Sequence, residues 1–131
     1  MKTKWLDRSL MRGGCLTLVT TQAEYKRALK DMNLTADDRF VTEGSYATTH
    51  TLDSASGELA FIVGVDMARM KDFDSITLAA LLVHEAVHVW QGTERAAGTM
   101  GCFGSEGEAY AIQNISAELM RECAKRLDTE I

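Results

Sequence analysis

The chain has 131 residues, of which 46% are hydrophobic and 25% are charged, and its formal net charge is −5. This length predicts a single domain, residues 1–131, with one core of modest size. The negative charge, and the absence of any basic cluster longer than two residues, argue against a nucleic-acid partner and against an anionic membrane surface.

The N-terminal residues do not have the pattern of a signal peptide. Asp7, Arg8 and Arg12 interrupt any apolar segment there, and no stretch of the chain approaches the ~20 apolar residues of a membrane span. A disulfide framework is not expected either, because the cysteines are few and scattered. They are Cys15, Cys102 and Cys123. We therefore expect a cytoplasmic protein with reduced thiols.

The first half of the chain predicts a strand, a helix and a β-hairpin. Residues 15–19 favour a strand, and a pair of threonines directly after it can cap a helix over residues 22–32. Two β-like runs follow, at 46–52 and 58–65, and the segment between them has the length of a hairpin loop.

The second half predicts two helices. After a loop over 66–74, Asp74 or Ser75 caps a helix that runs to Gln91, where Gly92 can end it. This helix is apolar nearly all round, which indicates a central helix buried on most sides. A glycine-rich segment, 98–107, leads to a last helix with an apolar stripe at helical spacing. The stripe consists of Ile112, Ile115, Leu119, Cys123 and Leu127.

The order of these elements, β-α-β-β-α-α, predicts an α+β domain with a small, mainly antiparallel sheet. The apolar helix also contains three polar residues in the run LLVHEAVHVWQ: His84, Glu85 and His88. Burying such groups without partners is unfavourable by several kcal/mol, so a metal ion, a hydrogen-bond network or solvent must satisfy them.

The spacing of the two histidines favours a metal. Residues four apart lie on one face of a helix, so His84 and His88 can bind one ion at ~2.0–2.1 Å each. Glu85 is too close in sequence to join that coordination sphere easily, but it can act as general base on a water activated by the metal. This is the HExxH pattern of zinc metalloproteases. The alternative is a pair of core histidines bonded to backbone carbonyls.

A catalytic zinc needs a third protein ligand. Glu94 is a weak candidate, because Gln91 stands where metzincins have a turn glycine. Cys102 is chemically possible, although a packed thiol is the favoured interpretation. The segment SEGEAYA, residues 105–111, opens the last helix and resembles the ExxA signature that follows HExxH in gluzincins. Gluzincins are the thermolysin-like branch of metallopeptidases, with two histidines and a glutamate as zinc ligands.

The resemblance to gluzincins implies that Glu106 or Glu108 is the third ligand. Motif alignment favours Glu106, whereas helical geometry favours Glu108, which lies one turn before Ile112 on the apolar stripe. We favour Glu106, because a ligand belongs at the edge between core and cleft. The other glutamate is then a solvated charge at a helix N-terminus. Tyr110 stands where several gluzincins carry an aspartate that supports a histidine ligand.

Together, HEAVHVWQ and the later EAYAIQ resemble a group of small metallopeptidase-like proteins of bacteriophages and prophages. The resemblance covers roughly the second half of the chain. It implies a zincin-like fold, in which a twisted sheet packs on the HExxH helix and the C-terminal helix carries the third ligand. An edge strand borders the cleft of such enzymes and can pair with an extended peptide. Either 58–65 or 46–52 is the candidate edge strand.

Peptide hydrolysis also needs a group that stabilises the oxyanion. His50 and Tyr46 are candidates, because even-numbered positions of the strand share one face. The favoured alternative is that both residues decorate a half-exposed hairpin.

Two functions follow from these motifs. The first is a zinc-dependent peptidase that acts on a peptide or protein, with Glu85 as the base and later as the donor to the leaving amine. A cell-wall peptide hydrolase is a variant of it. The second is a non-catalytic zincin-like module with a structural metal or a bound partner, for example in phage assembly or host regulation. Glu85 favours the enzyme, because a purely structural site has no use for a carboxylate beside the metal.

Overall fold

A computed structural model describes residues 2–6, 15–35, 37–53, 57–97 and 104–130 of the chain. It confirms an α+β fold with the predicted order of elements and adds one short helix inside the predicted loop over 66–74. In chain order the elements are β1 (Cys15–Val19), α1 (Gln22–Asp31), β2 (Ala47–Asp53), β3 (Leu59–Val65), α2 (Met67–Met70), α3 (Ser75–Ala97) and α4 (Gly104–Glu130).

The three strands form a mixed sheet in the order β1-β3-β2. β3 pairs with β2 in antiparallel orientation, which confirms the predicted hairpin, and with β1 in parallel, so the sheet is mixed rather than mainly antiparallel. Parallel neighbours need a long crossover, and here α1 and β2 supply it between β1 and β3. Because β3 is central, it is buried on both faces and cannot be the edge strand. β2 occupies that edge of the sheet.

The sheet separates two apolar layers. On one face, alternate residues of β1 and β3 pack against α3 and α4, and the core includes Leu16, Leu18, Phe61, Val63, Trp90 and Leu119. On the other face, α1 covers a smaller cluster formed by Val19, Tyr25, Ala28, Leu29 and Ile62. The predicted stripe of α4 is confirmed, since Ile115, Leu119 and Cys123 are buried, with Ile112 and Leu127 partly buried against them.

Side-chain caps begin two of the helices where the sequence predicts them. The hydroxyl of Thr21 accepts a hydrogen bond from the backbone N–H of Glu24 at 3.1 Å. The carboxylate of Asp74 accepts one from the backbone N–H of Thr77 at 2.6 Å. Each cap satisfies an N–H group that has no partner within the helix.

Helix α3 differs from its prediction in length and in burial. It continues through Gly92 to Ala97, because this glycine serves a close helix–sheet contact rather than a helix end. A Cβ atom at Gly92 would lie 2.6 Å from Cε1 of Phe61. The helix is also open on one side, with Ile76 79% exposed. Within the part of the chain that the structure describes, the sheet and α4 provide most of its packing, so the prediction of a helix buried on most sides is wrong.

None of the helices in the described part of the chain is long and apolar enough to cross a membrane. Several sequence predictions fall outside the described residues. They concern the N-terminal charges, the hairpin loop over 54–56, Cys102 and most of the glycine-rich segment.

Candidate functional site

His84 and His88 lie one turn apart on the open side of α3. Both are exposed, and their Nε2 atoms are 3.2 Å apart. The Nδ1 atom of His88 lies 3.2 Å from Oε1 of Gln91, one turn further along the helix. The two imidazoles therefore converge on one point at the helix surface, as their spacing predicts.

This convergence fits a tetrahedral metal. Two nitrogens that each lie ~2.0–2.1 Å from one zinc ion at a tetrahedral angle are about 3.3 Å from each other. The separation of 3.2 Å between the two Nε2 atoms matches that distance. The same distance also allows a hydrogen bond between the two rings, in which the tautomers decide which Nε2 donates.

Glu85 lies on the inner side of the histidines and is only 4% exposed. The hydroxyl of Thr49 on β2 donates to Oε1 of Glu85 at 2.8 Å and approaches its backbone carbonyl at 3.4 Å. A buried carboxylate needs such a donor. Thr49 therefore holds the carboxylate between the helix and the edge strand.

A cleft of about 410 Å³ runs between α3 and β2 beside these three residues. Its β2 wall is mostly threonine, and its α3 wall continues beyond the histidines to the helix's last turns. Its lining includes Thr48, Thr49, Thr51, Gln91, Gly92 and Arg95.

A second cavity of about 440 Å³ extends the cleft toward the start of α3. It shares Ser45, Ala47, His84 and Glu85 with the cleft, so the two form one depression. We call this depression the α3–β2 groove. Its first end is apolar and is lined by Tyr46, Phe73 and Leu81, and its second end is lined by Arg95.

The glutamates of α4 are placed differently. Glu106, Glu108 and Tyr110 are all exposed on the first turns of this helix, and none of them lines the α3–β2 groove. Over the described ranges, no group of three or more His, Cys, Asp or Glu side chains is placed to hold a metal ion. The structure thus brings His84, Glu85 and His88 together and leaves the third ligand a prediction. Glu94, the weaker candidate, is buried within α3.

His50 does not lie in the groove. Its Nε2 is 2.9 Å from the carbonyl oxygen of Phe40, and its Nδ1 is 3.3 Å from the hydroxyl of Tyr25. The Tyr25 hydroxyl also donates to the Asp38 carboxylate at 3.0 Å. Burial, together with this carboxylate, raises the pKa of Tyr25. His50 pairs with Ile62, which packs on the α1 face, whereas Thr49 pairs with Val63, which packs on the α3 face. His50 is therefore turned away from Glu85, on the wrong face of β2 for the oxyanion role.

Tyr46 lies just before β2, so the alternation of side chains between the two faces of the strand does not apply to it. Its ring packs on Phe73 at 4.9 Å between centroids, and the guanidinium of Arg69 lies 4.3 Å from the ring centroid. Tyr46 lines the same cavity as His84 and Glu85. It therefore stays a candidate for the oxyanion, whereas the prediction that it shares a face with His50 is wrong.

Two groove residues, Thr49 and Arg95, were not identified from the sequence. Thr49 is the hydrogen-bond donor to Glu85, and a correct assignment of the strand face would have identified it. Arg95 lies one residue after Glu94 in the last turns of α3, and extending the histidine face along the helix would have found it.

Comparisons with known proteins gave no match to a family model, to a curated protein or to a solved structure.

Proposed function

We propose that the protein is a zinc-dependent peptidase in which Glu85 is the general base. The observation that carries this proposal is the convergence of the two Nε2 atoms, 3.2 Å apart, beside a buried carboxylate in an open groove. Exposed histidines supply metal ligands, the carboxylate supplies a base, and the groove gives a substrate access to both.

His84 and His88 would hold the metal through their Nε2 atoms. Glu106 is proposed as the third ligand, with Glu108 as its alternative, on the strength of the resemblance of residues 105–111 to gluzincins. When bound, zinc supplies a Lewis acid that polarises the scissile carbonyl and makes water more acidic.

Glu85 would move the protons of the reaction. The Thr49 hydroxyl occupies Oε1, which leaves Oε2 of Glu85 to accept a proton from the attacking water. The same carboxyl group can then donate that proton to the leaving amine. Thr49 acts as a positioning residue, because its hydrogen bond fixes the orientation of the carboxylate.

The open edge of β2 would bind the substrate backbone. The backbone N–H of Asp66 donates to the carbonyl of Tyr46 at 2.9 Å, in register with the β2–β3 ladder. Pairing alternates along an antiparallel ladder, so even-numbered residues of β2 bond to β3. The backbone groups of Ala47, Thr49 and Thr51 then point to the open edge, where an extended peptide can pair with them.

The test is the substitution Glu85→Gln. It keeps the shape of the side chain and its bond to Thr49 but removes the base, so peptide cleavage should fall by at least ~10²–10⁴-fold. Zinc content and thermal stability should stay close to those of the wild type. Glu118→Gln on α4, outside the groove, is the matched control and should keep full activity.

Two outcomes contradict this assignment. If the wild type cleaves peptides and Glu85→Gln cleaves them equally fast, Glu85 is not the base. If the zinc-loaded wild type cleaves nothing across a broad peptide library, the protein is the non-catalytic zincin-like module that the sequence leaves as the alternative.

A further inference from the structure

The face of α3 that carries the two histidines also carries an arginine, Arg95, further along the helix. Gln91 and Arg95 follow His88 at spacings of three and seven residues, which keeps all of them on one side of the helix. His88, Gln91 and Arg95 all line the same cleft. Apart from the histidines, the charged residues of this lining are Glu85 at its centre and Arg95 at its end.

Arg95 can contact a ligand, whereas the nearby Arg69 is already engaged in contacts within the protein. Arg69, beside the apolar end of the groove, donates to the carbonyl of Ser45 at 2.9 Å and stacks on Tyr46. Arg95 is exposed, and none of the ion pairs found among the described residues includes it.

We propose that Arg95 is a specificity-determining residue that selects peptides with a carboxylate near the cleaved bond. This inference rests on the proposed peptidase function and adds the chemistry of the substrate to it. A guanidinium binds carboxylates in a bidentate, charge-assisted arrangement, which is stronger and more directional than a neutral hydrogen bond.

The geometry also sets the distance between the carboxylate and the cleaved bond. Arg95 follows His88 by seven residues, or about 10 Å along the helix axis. Its side chain tilts back toward the helix N-terminus, which shortens that distance. An extended peptide rises ~3.3 Å per residue, so the selected carboxylate lies about two to four residues from the cleaved bond.

The carboxylate can belong to an Asp or Glu side chain or to the C-terminus of the peptide. The experiment is therefore cleavage of a library of ten-residue peptides by the zinc-loaded protein, followed by mass spectrometry of the products. The library is prepared with free and with amidated C-termini. For the wild type, Asp and Glu should be enriched two to four residues from the cleaved bond. If the enrichment vanishes and cleavage depends on the free C-terminus, the C-terminal carboxylate is the group selected.

Variants at Arg95 separate charge from shape. Arg95→Ala should lower kcat/KM for the best acidic peptide by roughly 3- to 10-fold, as expected for an exposed to partly desolvated ion pair, and leave neutral peptides unaffected. Arg95→Glu should reverse the preference toward Lys and Arg at the same positions. Arg121→Glu, an exposed arginine on α4, is the matched control and should keep the acidic preference.

The preference should also weaken as salt is raised from 0.05 to about 0.5 M, because exposed charges are screened over that range. Cleavage by the wild type that neither enriches acidic residues nor depends on a free C-terminus, or an Arg95→Glu variant with unchanged preference, would overturn this inference while leaving the peptidase intact. No cleavage by the wild type under any condition would instead overturn the peptidase function itself.

Discussion

Histidines on the two faces of the sheet differ in the hydrogen-bond partners of their ring nitrogens. On the α1 face, His50 has protein partners for both ring nitrogens, the Phe40 carbonyl and the Tyr25 hydroxyl. On the α3 face, the Nε2 atoms of His84 and His88 have no partner among the described residues except each other within hydrogen-bond distance. One histidine completes a polar cluster inside the protein, whereas the other two present nitrogens to the solvent.

This difference separates a structural histidine from a pair of candidate ligands. A buried ring with both nitrogens bonded to protein stabilises the fold and has no lone pair left for a ligand. Two exposed rings that converge on one point are preorganised for a metal, because little rearrangement is needed on binding. The surroundings of His50 therefore suit a structural role, and those of His84 and His88 suit metal binding.

The first prediction has the largest expected effect and tests that separation directly. His84→Ala and His88→Ala should each reduce zinc affinity by at least ~100-fold, since each removes one of a few protein ligands. His50→Ala should leave zinc affinity unchanged but lower the free energy of unfolding by about 1–3 kcal/mol, because the partly buried carbonyl of Phe40 loses its hydrogen bond to the ring. Zinc titration by calorimetry and denaturant unfolding of the metal-free proteins measure the two quantities.

The comparison of the two faces is contradicted if the effects on zinc affinity and on the free energy of unfolding are exchanged between the variants. Loss of zinc binding in His50→Ala, with an unchanged unfolding curve, would mean that the α1 face carries the metal. Unchanged zinc affinity in both His84→Ala and His88→Ala would remove the metal from α3.

The second prediction compares a glycine on each face. A Cβ at Gly64 would overlap the backbone carbonyl oxygen of Phe40, on the α1 face. A Cβ at Gly92 would meet the ring of Phe61 at 2.6 Å, on the α3 face. Backbone cannot give way as a side chain can, so Gly64→Ala should lower the free energy of unfolding by about 3 kcal/mol and Gly92→Ala by about 1–2 kcal/mol. Urea unfolding measures both; an equal or reversed ranking would show that the segment around Phe40 adapts more easily than the Phe61 ring.

Local patterns were sufficient to predict most of the secondary structure. The amphipathic stripe of α4 and the caps at Thr21 and Asp74 are signals within one turn of chain, and all of them are confirmed. The predicted hairpin of β2 and β3 is confirmed. The parallel pairing of β3 with β1 was not predicted, because it joins strands far apart in sequence, although the apolar run of β3 was consistent with a central strand.

The candidate site shows the same limit. The spacing of His84 and His88 within a helix sufficed to predict that they converge. The residues opposite them could not be chosen from sequence, because the face of β2 that meets α3 depends on a register set by β3. A shift by one position exchanges Thr49 for His50, and the sequence interpretation named His50 as a candidate while favouring a position on a half-exposed hairpin. Gly92 was misread for a related reason, since its role is a contact with a distant strand.

The third prediction concerns the contact that joins the two layers, and its expected effect is the smallest. Arg126 of α4 forms ion pairs with Glu24 of α1 and with Glu122, and its guanidinium reaches the Thr20 hydroxyl at 3.3 Å. Burial by itself raises the pKa of Glu24, but hydrogen bonds from Thr20 and Arg126 outweigh it, and the pKa is lowered below its usual value. A carboxylate with a lowered pKa stabilises the fold above the pKa it has in the unfolded chain. That contribution is lost as the pH falls through the lower pKa of the folded state.

Arg126→Met should therefore lower the free energy of unfolding by about 1 kcal/mol at pH 7, because the partly exposed pair with Glu24 is screened by solvent and the buried Glu122 keeps Lys4 as a partner. It should also make stability fall less steeply with acidification below the usual carboxyl pKa, since the pKa of Glu24 then returns toward that value. Arg121→Met, which breaks the exposed pair with Glu118 on the same helix, is the control and should change stability by less than about 0.5 kcal/mol. Urea unfolding at a series of pH values between 3 and 7 measures both variants.

If Arg126→Met matches the wild type at pH 7 and follows the same acid profile, Arg126 does not couple the two faces. The α1 layer is then held by its apolar contacts alone, because tyrosine and leucine side chains, rather than charge, supply its attachment to the sheet.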